Sequence, residues 1–141
     1  MTMDMTTDST AALDLQAAIR AHLIADADFL AALGGPKLFD GAPRGTAFPY
    51  VTLGPASQGD WSDGEVTGAD VALTLNVWSR AAGKREAWAI VGLMMRLLHD
   101  ATLTLPTRRL VTLSAVFAEV RRESDSITER GVLRLSALVE G

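Results

Sequence analysis

Residues 109–140, RLVTLSAVFAEVRRESDSITERGVLRLSALVE, decide the fold of this chain. Apolar and polar residues alternate over residues 109–120 and again over residues 127–140, with the polar residues 121–126 between them. A period of two places alternate side chains on opposite faces of a strand, so each half predicts a strand with one buried face. Two such strands joined by a short polar turn form an antiparallel hairpin.

The alternation also assigns the two faces of this hairpin. The predicted buried face consists of Val111, Leu113, Ala115 and Phe117 in the first strand and Leu133, Leu135, Ala137 and Val139 in the second. The opposite face carries Thr112, Ser114, Arg134 and Ser136. One polar face is typical of an antiparallel sheet that is covered on one side only.

Earlier segments add shorter strands to this hairpin. The residues Val71, Leu73, Leu75 and Val77 alternate with more polar ones and predict a third strand that ends before Gly83. Leu38-Phe39 and residues 50–53 predict two very short strands, the second bounded by Gly54-Pro55. Residues 56–68 contain three glycines and several acids, which favours an exposed loop or the mobile tip of a hairpin.

Helical spacing appears in two places. Near the start, Leu15, Ile19 and Leu23 recur every four residues, after a capping residue at Asp8, Ser9 or Thr10, and residues 1–7 before them are predicted to be disordered. A short second helix begins at Asp26 and is ended by Gly34. The strongest helix covers residues 84–101 and is apolar over most of its circumference, so we expect cover on more than one side.

The order of these elements predicts one α+β domain over residues 1–141. Its mainly antiparallel sheet carries an N-terminal helix and one long apolar helix. The net charge of −4 argues against a protein that grips nucleic-acid phosphates. The absence of cysteine excludes disulfides and thiolate metal sites. The acidic, polar N-terminus does not favour a signal peptide, and the longest apolar run is about half a membrane span.

No catalytic constellation is found in the sequence. The two histidines, His22 and His99, lie far apart inside predicted helices. We expect each to be a packing or surface residue of its helix and not a catalytic base or metal ligand. Nucleophile-elbow, zinc-helix and phosphate-loop motifs are absent. The acids around Asp60 lack the alternating spacing of a calcium loop. We therefore expect no enzyme, no cofactor and no metal site.

Interaction residues are the better candidates. Trp61 can serve as an apolar anchor in the acidic loop, and the arginine pairs that flank the first hairpin strand can match that loop in another subunit or simply solubilise strand ends. Trp78 lies opposite the apolar face of its strand, under a loop or against a neighbour. The candidate subunit and tube interface consists of Asp60, Trp61, Asp63, Glu65, Trp78, Arg108, Arg109, Arg121 and Arg122.

Several segments, taken in order, resemble a known family. They are LFD at residues 38–40, FPYVTLG at 48–54, GDWS at 59–62, LTLNVWSR at 73–80 and GVLRLSAL at 131–138, with Gly83 and a helix containing Glu86 before the last. This succession, over about residues 13–139, resembles the small tail-completion proteins of long-tailed phages and gene transfer agents. Each motif alone is unspecific, and the order and spacing carry the resemblance.

The resemblance implies a tail terminator in the virion or phage-like particle. Six copies would form a ring on the head-proximal end of the tail tube, stop its polymerisation and meet the neck (stopper) protein. The partners would be further copies of the chain, the tail tube protein and the neck protein, with no membrane, and DNA would pass through the lumen without specific binding.

Two other functions stay open on the sequence. The chain could be another head–tail connector or minor tail subunit, which would share its size and fold. It could also be a small ligand-binding or enzymatic α+β domain with a site in residues 56–68, which predicts a monomer or dimer with a pocket near Asp60 and Trp61.

Overall fold

The computed structural model describes residues 10–141, so the predicted disorder of residues 1–7 lies outside the described residues. Within residues 10–141, three helices and five strands follow one another. They are α1 (Ala11–Ile24), α2 (Ala27–Leu33), β1 (Leu38–Phe39), β2 (Tyr50–Asp60), β3 (Gly68–Ser79), α3 (Arg85–Leu98), β4 (Arg109–Arg122) and β5 (Glu129–Glu140). This arrangement confirms the predicted α+β fold.

The strands form a single sheet in the order β1-β2-β3-β5-β4. Only β1 runs parallel to its neighbour, and the other three pairings are antiparallel. One core joins the three helices to one face of this sheet. The other face, here called the helix-free face, carries Thr52, Ser57, Ala72, Asn76, Trp78 and Ser136.

The two central strands follow their predicted alternation. In β3 the residues Val71, Leu73, Leu75 and Val77 are all buried. In β5 the residues Leu133, Leu135, Ala137 and Val139 are buried opposite them. Because these strands have a neighbour on each side, their inward face is closed by the helices and their pattern stays regular.

The prediction of a short strand that ends before Gly54-Pro55 is wrong, and of the two predictions for residues 56–68, an exposed loop or the tip of a hairpin, the hairpin is the one found. β2 continues to Asp60, because a bulge after Leu53 absorbs Gly54 and Pro55 within the strand. A Cβ on Gly54 would stand 2.6 Å from Asn76 Nδ2, so the glycine lets the two strands approach here. The connection between β2 and β3 is therefore confined to residues 61–67.

The predicted buried face of the first hairpin strand is wrong at Val111, where Leu110 packs against the core instead, and at Phe117. β4 contains two register shifts, between Leu110 and Thr112 and between Ala115 and Phe117. Each shift adds one residue and reverses the alternation. Phe117 is therefore 40% exposed on the helix-free face, while Ala118 packs against the core.

α1 begins at one of the three predicted capping residues, and α2 begins and ends as predicted. Thr10 Oγ1 accepts a hydrogen bond from the amide of Leu13 and caps α1. Asp26 Oδ2 accepts the amide of Phe29 at 2.9 Å and caps α2. α2 ends at Gly34, whose φ of 75° is left-handed.

α3 is shorter than the predicted helix over residues 84–101, and His99 lies just beyond its last turn. Strands β3, β4 and β5 contact it on one side, and α1 and α2 contact it on another. His22 of α1 reaches it through a hydrogen bond of 3.0 Å between Nε2 and the carbonyl of Leu97. Trp88 and Met95 remain 45% and 36% exposed, so a single chain buries only part of the apolar circumference.

Candidate assembly surface

The predicted interface residues lie at two opposite ends of the sheet. At one end of the sheet, the end of β2 lies beside the start of β3, the end of β5 and the start of β4. This end is called the acidic end, and it contains Asp60, Trp61, Asp63, Glu65, Arg108 and Arg109. The arginine end contains Trp78, Arg121 and Arg122, which are level with Arg130 and Glu129 of β5. A strand of this length separates the ends by roughly 35 Å.

The turn at the acidic end is held by its own backbone. The amide of Trp61 donates to the carbonyl of Gly68 at 2.8 Å, and Asp63 and Val66 exchange hydrogen bonds of 3.0 and 2.9 Å. The ring of Trp61 packs over Gly68, where a Cβ would stand 2.5 Å from Trp61 Cε3. Trp61 is therefore half-buried in its own hairpin and is not a free anchor.

The carboxylates of this turn project into solvent. Asp60 accepts a hydrogen bond of 2.7 Å from Ser62 Oγ, and Asp63 and Glu65 are exposed. Within residues 10–141 none of these three acids forms an ion pair. Within the described chain, these three side chains therefore present uncompensated negative charge.

The arginines of the acidic end are already paired inside the chain. Arg108 forms an ion pair with Asp14 of α1, and both side chains are mostly buried. Arg109 donates from Nη2 to Glu140 Oε2 at 2.6 Å, yet its side chain is 68% exposed. Arg108 thus ties the start of β4 to α1, whereas Arg109 remains accessible.

At the arginine end, one buried carboxylate organises the charges. Glu129 accepts a hydrogen bond of 2.8 Å from Arg122 Nε, and Lys84 Nζ lies 3.4 Å from its other oxygen. The hydrogen bond from Arg122, together with both positive charges, lowers the pKa of Glu129 below its ordinary value against the opposing effect of desolvation. Arg121 is 62% exposed and lies 3.9 Å from Glu119.

The turn between β4 and β5 depends on Asp125. Its carboxylate accepts hydrogen bonds from Thr128 Oγ1 at 2.6 Å and from the amides of Ile127 and Thr128 at 2.9 and 2.8 Å. These bonds, above all the one from the Thr128 hydroxyl, lower the pKa of Asp125 to about 2. Arg80 lies 3.8 Å from the same carboxylate and adds to the effect.

Trp78 belongs to an aromatic cluster at the same end. Its ring stacks on Tyr50 at 6.4 Å, and Tyr50 contacts Phe48 at 5.1 Å. Its Nε1 donates to Thr52 Oγ1 at 2.9 Å. The prediction that Trp78 packs under a loop in a single chain is therefore wrong, because it packs on the neighbouring strand β2.

This cluster lines a pocket of about 310 Å³ that sequence reasoning missed. Arg80 forms part of its wall, with the guanidinium 4.4 Å from the centre of the Phe48 ring. The motifs around Phe48 and Trp78 are far apart in sequence and meet only because β2 and β3 pair. The aromatic residues and the arginine in these motifs are the sequence signal from which this pocket could have been predicted.

The two histidines do not meet, since His22 binds the carbonyl of Leu97 and His99 accepts the amide of Ala115. Within residues 10–141 no three His, Cys, Asp or Glu side chains are grouped so that they could hold a metal ion. None of the helices described is long and apolar enough to cross a membrane.

Comparison with known proteins identifies the family. The model of the tail completion protein gp17 family matches residues 17–140. The chain belongs to this family. A solved chain of the virion of a native gene transfer agent particle is 36% identical, with a TM-score of 0.85, and the match covers 94% of this chain and 100% of that chain. No curated protein sequence matches. The resemblance to tail-completion proteins is thereby confirmed.

Proposed function

We propose that this tail-completion protein is a tail terminator. Six copies form a ring on the head-proximal end of the tail tube, end its polymerisation and join it to the neck protein. The observation that carries the proposal is the match to a chain of a gene transfer agent particle over the whole length of that chain.

The charge distribution supports a subunit with two different contact faces. The acidic end carries unpaired carboxylates, whereas at the other end the arginines are paired with carboxylates and lie beside aromatic rings. A ring between a tube and a neck meets a different protein on each face, and complementary charge selects each partner. The net charge of −4 also favours a lumen that repels DNA phosphates, so DNA passes without being held.

Deletion of the gene in the producing cell tests the assignment. Loss of a terminator leaves tube polymerisation unchecked, so tails in electron micrographs should be overlong and unattached to heads. Supplying the intact gene on a plasmid should restore the normal length distribution. Tails of normal length that fail to join heads would instead identify a connector subunit and contradict the terminator.

A further inference from the structure

The sheet has two open edges, and each is open over only part of its strand. On the outer side of β2, the parallel strand β1 pairs with Val51 and Thr52. Within the described part of the chain, no strand pairs with residues 54–60 on that side. The backbone groups along this stretch are therefore available to another strand.

The outer side of β4 is covered over its first half. Thr104 forms a bridge with Arg109, and the amide of Asp100 donates to the carbonyl of Leu113 at 2.9 Å. His99 Nδ1 accepts the amide of Ala115 at 3.0 Å. Residues 116–122 have no such cover among residues 10–141. This open stretch is as long as the one on β2.

We propose that residues 116–122 of one copy pair with residues 54–60 of the next copy, with Glu119 opposite Ser57. The inference rests on the proposed ring and names the surfaces that close it. The two stretches lie on opposite edges of one sheet, which is what a head-to-tail ring contact requires. β2 and β4 run in opposite directions, so a continued sheet pairs them antiparallel.

The pleat of the two strands is compatible with this register. Ser57 is opposite Ala72, and Glu119 is opposite Val132, which in turn is opposite Asn76. Ser57 and Glu119 therefore both lie on the helix-free face, and directly opposed residues must share a face. The same register places Val120 beside Ala56 of the neighbouring copy on the helix side, so two apolar side chains meet there.

The offset between the two open stretches is also what a closed ring needs. Within one chain Glu119 is level with Thr52 and Asn76, and Ser57 is level with Ala72, four residues along β3. Pairing Glu119 with Ser57 therefore shifts each copy by about 13 Å along the strands. At the level of the proposed contact each copy adds the four strands β2, β3, β5 and β4 to the continuous sheet, a width of about 19 Å. The two lengths incline the strands by about 35° to the ring axis, at the lower bound of the range found in closed barrels.

Because the natural chain lacks cysteine, disulfide trapping can test the register directly. Particles are produced with the double variant Glu119→Cys and Ser57→Cys and oxidised before electrophoresis without reductant. We expect a ladder of covalent multimers, up to the full ring, that collapses to monomer on reduction. The matched control is Ser114→Cys with Ser57→Cys, since Ser114 is level with Ser57 within one chain and would oppose it only without the offset.

A second test replaces Phe117 with the photo-reactive residue benzoylphenylalanine. This single substitution disturbs the fold less than the two cysteines do. Phe117 is exposed, and the proposed register sets it opposite Gly59 of the neighbour. Illumination of particles should link it to the peptide that contains Gly59.

The outcomes separate the pairing from the ring. A ladder from the Ser114 pair, or linkage of residue 117 to another segment, overturns the proposed register. If quantitative mass spectrometry finds several copies per particle but neither cross-link forms, the proposed pairing is wrong, while the ring is still supported. A single copy per particle would contradict both.

Discussion

Gly131 of β5 lies directly beneath Val91 of α3. A Cβ on residue 131 would stand 2.8 Å from Val91 Cγ2 and 3.2 Å from Val77 Cβ. Val91 and Val77 are both fully buried, so neither can move aside without disturbing the core. The close approach of α3 to the sheet therefore depends on the missing side chain at residue 131.

Gly131→Ala should accordingly lower the free energy of unfolding by about 1–3 kcal/mol, the usual effect of overpacking. Gly92→Ala is the matched control, because Gly92 lies on the exposed side of α3 with nothing within 4 Å of an added Cβ. The control should raise the free energy of unfolding by about 0.5–1 kcal/mol through helix propensity. Urea denaturation measures both, and an equal change in the two variants would refute the close approach.

The cap of α2 provides a second test. Asp26→Ala removes the acceptor for the amide of Phe29 and should lower the free energy of unfolding by about 1 kcal/mol. Asp28→Ala is the control, since within residues 10–141 the carboxylate of Asp28 forms one ion pair, an exposed one with Arg96 at 3.8 Å. Its removal should change the free energy of unfolding by less than about 0.5 kcal/mol. Thermal unfolding should rank the two variants in this order, and the reverse order would contradict the capping role.

The depressed pKa values of Asp125 and Glu129 predict a loss of stability in acid. Both groups release protons more readily in the folded chain, so below about pH 4 the unfolded chain binds protons first. The free energy of unfolding should fall from there down to about pH 2, where Asp125 is also protonated in the folded state. Urea titrations at several pH values should show a shallower fall for Asp125→Asn than for the natural chain. Glu65→Gln, on the exposed turn, serves as the control and should leave the profile unchanged.

The acidic end should matter for assembly and little for folding. Asp63 and Glu65 are exposed and form no ion pair in the described chain. In the double variant Asp63→Lys and Glu65→Lys, each substitution should therefore alter the free energy of unfolding by less than about 0.5 kcal/mol. The same variant should be incorporated into particles far less than the natural chain, measured by mass spectrometry of purified particles. The charge reversal Asp28→Lys, away from this end, is the control. Normal incorporation of both variants would remove the acidic end from the interface.

The central strands and the helices could be predicted because the apolar residues of each repeat at one constant spacing along the whole element. β3 and β5 have neighbours on both sides, so every second side chain is buried and the alternation is legible in the sequence. The cap at Asp26 follows from side-chain chemistry alone, whereas for α1 the sequence offers Asp8, Ser9 or Thr10 and only the structure selects Thr10.

The flanking strands could not be predicted to the same degree. In β2, Gly54 and Pro55 have the composition of a turn, yet they form a bulge that only the pairing with β3 reveals. In β4 the two extra residues reverse the alternation, so Phe117 was assigned to the wrong face. The partners of the arginines depend on strand order, and this is why Arg108 with Asp14 and Arg122 with Glu129 were not expected.

The central claim concerns the place of this protein in a particle, and electron microscopy of that particle tests it most directly. A reconstruction of the tail at the head-proximal end should show six copies in one ring between the last layer of the tube and the neck, with the acidic and arginine ends of the subunit on opposite faces of the ring. Density for the subunit at any other position, or in a single copy, would contradict the account.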